Sequence, residues 1–275
     1  MSVPSRPSET VQVSSDGTVL QAPVGEAQAA VRAEGEQVGA VRTDDWTVAD
    51  YHDPDFDHPD TRPRLRGWLH LFASFGAVVA GAVLIPLAWV EGGLRAGLPV
   101  SVYCLTILGL FGISAAYHRR RWSPRGWKLM KRLDHSMIFL FIAGTYTPFA
   151  ALSVPYPTNW WIFGIVWAGA LAGVALKMAW PTAPRWLGVP IYLALGWVAV
   201  FVLVDILQLA GVTAMVLLAA GGLLYSVGAV AYATKRPNPV PGVFGYHEVF
   251  HAMTIVAAAC HYTAVYFAIY NSPFV

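Results

Sequence analysis

From residue 61 onward the chain reads as seven long apolar stretches, near 67–90, 98–118, 133–153, 160–180, 187–209, 212–234 and 246–270, separated by short polar connections. Each is long enough for the roughly 20 residues a helix needs to cross a bilayer. Most faces of these stretches are apolar, without the repeated polar stripe that would line a water-filled pore. Trp89, Pro155, Tyr156, Trp160, Trp161, Trp180, Pro181, Pro184 and Trp186 gather at their ends, as aromatic belts do at membrane interfaces. The pattern predicts an all-α protein whose residues 61–275 form a seven-transmembrane helix bundle.

Residues 1–60 differ in every respect. They are rich in Ser, Pro, Gly, Glu and Asp with little apolar periodicity, a composition that cannot bury enough surface to offset its ordering entropy. They read as a disordered acidic N-terminal tail. His52 and His58, interspersed among Asp53, Asp55, Asp57 and Asp60, are open to weak metal binding or docking on a basic surface, beside the simpler reading of a solvated tail.

Composition places the chain in the membrane class: 56% of its residues are hydrophobic and 12% charged, against about 25% charged in soluble domains. The formal net charge of +2 conceals an asymmetry, because 12 of the 16 acids fall in residues 1–60 and 15 of the 18 bases after them. Those bases lie mostly on one side. Arg62, Arg64 and Arg66 precede the first stretch; Arg119, Arg120, Arg121, Arg125, Lys128, Lys131 and Arg132 fill the second connection; Lys177, Arg185, Lys235 and Arg236 follow on the same side. The positive-inside rule then predicts a cytoplasmic N-terminus and an outer C-terminus in the cell membrane. The basic connection could also attract anionic lipid headgroups, and no nucleic-acid partner is expected. Cys104 and Cys260 sit inside apolar stretches as small hydrophobes, with no disulfide framework indicated. The first apolar run begins too far into the chain for a secretory signal, so a transmembrane segment is expected to direct insertion.

With depth assigned, the polar groups fall unevenly. His118 ends the second stretch, Asp134 opens the third, and His247 and His251 lie in the first turns of the seventh, all on the cytoplasmic side. His247 and His251 are four residues apart, about one 5.4 Å helical turn, so both rings face the same way. Three imidazoles plus a water form a known catalytic Zn2+ arrangement, which predicts His118, His247 and His251 as ligands of an ion that brings its water to a pKa of about 7. Asp134 would accept the proton of that water and pass it to a leaving group, and Ser114, one turn before His118, would hydrogen-bond water or substrate.

Each signal alone has a plainer reading: a histidine at a helix end is commonly interfacial, and Ser114 would usually bond the carbonyl four residues back. His261 belongs to the outer half and reads as a packed core histidine, Asp205 as interfacial, His135 as facing the basic loop, and His70 as a group beside the site. His247-Glu248-Val249-Phe250-His251 also matches H-E-x-x-H, in which Glu248 would be a protease base, though an acid in a first helical turn is favoured by the macrodipole alone.

Ser114-x-x-x-His118, Asp134, Gly144-Thr145-Tyr146-Thr147-Pro148 and His247-Glu248-Val249-Phe250-His251, in that order, resemble the hemolysin III family, the bacterial branch of the progestin and adipoQ receptors that include adiponectin receptors. The similarity spans about residues 64–270. It implies a seven-helix bundle holding a cytoplasmic-side zinc through three histidines, within a superfamily of proposed membrane hydrolases that includes alkaline ceramidases. The chain departs from that pattern before His70, where Pro63 and Arg66 stand in place of a glutamate and an asparagine.

The expected function is a zinc-dependent integral membrane hydrolase, zinc-bound hydroxide attacking a lipid-like amide or ester at the cytoplasmic side. The alternatives are a non-catalytic receptor or sensor with a structural zinc, an intramembrane protease and a lytic pore former. Pro148 is expected to bend its helix, either opening a cavity beside the zinc or only adjusting packing.

Overall fold

The computed structural model describes residues 62–275, together with the backbone of two short strands, β1 (Gln12–Val13) and β2 (Val19–Leu20). These strands pair antiparallel with Gln12 opposite Leu20, inside a unit spanning Met1–Trp46 that is separate from Thr47–Val275. The tail expected to be disordered otherwise lies outside the described residues.

From residue 62 the regular structure is helical: α1 (Trp68–Arg119), α2 (Pro124–Ser153), α3 (Thr158–Ala179), α4 (Arg185–Gly196), a 3-10 segment (Trp197–Val202), α5 (Leu203–Leu209), α6 (Gly211–Thr234) and α7 (Tyr246–Asn271). Counting Arg185–Leu209 as one element, six helices among the described residues are long and apolar enough to cross a membrane. Large apolar side chains such as Phe72, Val79, Trp161 and Phe201 stand exposed, as lipid contact requires and water would penalise. This is a multi-pass membrane protein.

The first two predicted stretches are the arms of α1. A straight helix of its 52 residues would extend about 78 Å, yet Gly67 lies against His118 at the other end. The arms therefore fold back on each other, and Gly93 makes the reversal with φ 52° and ψ −135°, a backbone region open essentially to glycine. The connection expected between the two stretches is reduced to that residue.

Local signals account for the other ends. Ser123 accepts from the N–H of Gly126 ahead of Pro124, so α2 starts on a capped proline turn. Pro184 precedes α4, and Gly245 opens α7, with the Glu248 carboxylate accepting its N–H at 2.8 Å.

α2 is the axis of the bundle: 72% of its apolar window is buried, against 22–44% in the other spans. α1 and α3 pack along it, α6 packs along α7, and α7 returns to α1. In lipid such packing depends on close contact and interhelical hydrogen bonds, each of the latter worth roughly 0.6–2 kcal/mol. Tyr146 supplies two of them, donating to the carbonyl of Gly196 and accepting from the N–H of Ala199, each at 2.6 Å. Tyr262 reaches Ala80 and Asn271 reaches Ala210 in the same manner. The motif Gly144 to Pro148 is buried throughout and lies within an unbroken α2; Thr145 and Tyr146 line the central cavity, so the motif serves both packing and cavity.

Candidate metal centre

His118 closes the second arm of α1, while His247 and His251 occupy the first two turns of α7 on one face. One ring nitrogen from each lies within 4.8 Å of the others. The centroids of His247 and His251 are 4.6 Å apart, and those of His118 and His247 4.8 Å. Among the described residues, these three alone form such a group of His, Cys, Asp or Glu. Nε2 of His118 and Nδ1 of His251 are buried with no hydrogen-bond partner. Buried polar atoms are nearly always paired, so open ring nitrogens in a group this close could hold a cation. Three nitrogen donors suit zinc, whose sites take imidazole readily and tolerate one position left to water.

Beside the rings, about 100° round α7 from His247, Glu248 is clasped. Arg66 Nε meets Glu248 Oε1 at 2.5 Å, with the carboxylate fully buried and the arginine side chain 9% exposed. The other carboxylate oxygen caps Gly245. The strap carrying Arg66 is fixed along its length: the N–H groups of Arg64 and Leu65 donate to the carbonyls of Gly242 and Val243, and Arg62 donates to the carbonyl of His118 at 2.6 Å. Gly67, at φ 77°, presses so close to His118 that a Cβ there would stand 2.8 Å from the histidine Cβ. One short strap thus touches both helices that carry ligands. Glu248, the acid of the H-E-x-x-H pattern, faces this clasp and is committed to two partners.

In front of the rings a cavity of about 200 Å³ extends into the bundle, with Ser114, Asp134, His70 and the three histidines at one end and Val154 and Ile162 among its deeper residues. Ser114 is buried and Asp134 partly so. His135, expected at the basic loop, instead lines this cavity, its Nδ1 2.8 Å from the carbonyl of Lys131 and 3.8 Å from the Asp134 carboxylate. His70 stacks on His251 with centroids 3.7 Å apart and planes 15° apart. Ligand lone pairs lie in the ring plane, so parallel stacking makes His70 a neighbour that fixes the His251 plane rather than a fourth donor. His261 is buried, as expected, and also lines the cavity.

Sequence reasoning missed the Arg66–Glu248 pair. Its signal was available, because Glu248 is one of four acids after residue 60 and a lone acid at the edge of an apolar span needs a cation at the same depth. What was lacking was a way to choose among the arginines there.

Residues 60–262 match the family described as haemolysin-III related. The chain is 29% identical to Hemolysin-3 of Bacillus cereus over 72% of its own length and 87% of that protein. It is 24% identical to the human monocyte to macrophage differentiation factor over 75% of its length and 84% of that protein. It is 30% identical to the heptahelical transmembrane protein ADIPOR2 of Oryza sativa subsp. japonica over 61% of its length and 80% of that protein. The chain belongs to the haemolysin-III-related family.

Proposed function

We propose that this member of the haemolysin-III-related family is a zinc-dependent hydrolase of the cell membrane, acting on a lipid-like amide or ester. The observation that carries the reading is the placing of three imidazoles, one from α1 and two from α7, at the head of an apolar cavity. His118, His247 and His251 would hold the ion. When bound, zinc supplies Lewis acidity toward a carbonyl and a lowered pKa for water.

The protein's own groups do the rest. The apolar walls of the cavity accept acyl chains and exclude water. Asp134, on the cavity side of the cluster, takes a proton and returns it to the departing amine or alkoxide. Ser114, one turn before His118, hydrogen-bonds the substrate carbonyl region. His70 holds the plane of His251, and the Arg66–Glu248 clasp holds the turn on which both α7 ligands sit.

The same reading gives seven crossings, since the fold-back at Gly93 makes two of α1, in keeping with the word heptahelical in the name of the rice relative. The arginines of the strap and of the second connection support, by the positive-inside rule, a cytoplasmic histidine end and N-terminus. Metal analysis by mass spectrometry of detergent-purified protein tests the site: about one zinc per chain is expected, absent from His118→Ala and His247→Ala. A folded wild-type protein without metal defeats the proposal, and zinc kept by His118→Ala removes α1 from the site.

A further inference from the structure

Away from the histidine cluster the cavity wall is largely apolar, with Ile138, Ile142, Phe149 and Ile162 contributing to it. Polar side chains interrupt it on the α6–α7 side, among them Ser226, Thr254 and the pair Tyr225 and His261. His261 lies ten residues beyond His251, about 15 Å along the axis of α7. The pair is therefore deep in the bundle, remote from the metal-binding rings.

The state of His261 follows from its one hydrogen bond, in which Nε2 lies 3.1 Å from the carbonyl oxygen of Leu218. A carbonyl only accepts, so Nε2 carries the hydrogen, and Nδ1 of the neutral ring remains as an acceptor. That Nδ1 is buried without a partner, and the Tyr225 hydroxyl is too. The rings are 5.4 Å apart and tilted by 59°, and their polar atoms do not bond each other. The seat for the imidazole is built: opposite it α6 carries Gly221, where a Cβ would meet ring atoms at 2.4 Å. An open acceptor beside an open hydroxyl on the cavity wall offers a seat to a group that can both donate and accept.

We propose that Tyr225 and His261 form a subsite for a hydroxyl group carried part-way along an acyl chain. A ligand hydroxyl completes both groups at once, donating to Nδ1 of His261 and accepting from Tyr225. A carbonyl would complete Tyr225 alone, and a carboxylate would set a charge against an acceptor. The inference rests on the reading of the cavity as a lipid site and narrows the ligand to a hydroxylated amphiphile, with its head at the histidine cluster and its hydroxyl about 15 Å deeper.

The test is equilibrium binding of mid-chain hydroxystearate and of stearate to the detergent-purified, full-length protein. Hydroxystearate is expected to bind about tenfold more tightly than stearate. Tyr225→Phe and His261→Leu should each bring the ratio close to one while leaving stearate affinity and zinc content unchanged. Equal affinity of the two acids for the wild-type protein overturns the subsite and leaves the lipid cavity standing; internal water or a Tyr225–His261 bond then satisfies the pair. Failure of both acids to bind overturns the lipid reading of the cavity together with the subsite.

Discussion

Neighbouring positions in the first turns of α7 carry opposite kinds of polar chemistry. Glu248 is fully buried, paired with Arg66 and bonded to the N–H of Gly245, so every oxygen has a fixed partner. On the cavity side, Nε2 of His118 and Nδ1 of His251 are buried and open, and Asp134 lines the same cavity. The contrast separates a carboxylate that two partners hold in place from one that lines the cavity and is the one proposed for proton transfer.

The comparison breaks most sharply at Asp134. Asp134→Ala is expected to lower turnover of an acyl amide or ester by about 10²–10⁴-fold with zinc content unchanged; unaltered turnover would move the proton task elsewhere. Glu248→Ala should act oppositely, through the fold: it leaves the Arg66 guanidinium buried beside an empty site, a loss of about 3–5 kcal/mol, visible as a lowered unfolding midpoint in detergent. If Glu248→Gln instead removed activity while stability held, Glu248 would belong with the reacting groups. Gly67→Ala tests the strap between them. A side chain at positive φ pressed on His118 should cost about 1–3 kcal/mol and weaken zinc binding as His118 shifts. The smallest effect belongs to His70: His70→Phe keeps a ring over His251 and should hold zinc affinity within about tenfold, while His70→Ala should lose about 10–100-fold. Equal affinities for the two variants would mean that the stack does not position the ligand.

Much of this was legible in the chain. Helical spans follow from apolar runs alone, and the histidine cluster follows from an i, i+4 pair together with the depth of His118. The junction between the first two stretches was less legible, because hydropathy places a break between them but carries no information on whether it is a loop or a single residue such as Gly93. Arg66 was hidden for a different reason: it lies 182 residues from Glu248, and at that separation only the folded backbone selects it over Arg62 or Arg64. His135 was misplaced because its backbone bond to Lys131 turns the ring toward the cavity. The role of His261 as more than filler depends on which of its nitrogens is bonded.

The distance between Arg66 and Glu248 along the chain also sets an order of events during synthesis. At about 5–20 residues per second, the ribosome needs on the order of ten seconds or more to travel from one partner to the other. For most of that interval Arg66 and His118 are both present, and nothing yet exists to complete either the ion pair or the histidine cluster. Both are completed by the same two turns, which belong to the last helix to be made. Assembly of the histidine cluster and closure of the clasp are therefore one late event, and a nascent chain stalled before its final span carries one histidine of the three and an arginine without its carboxylate.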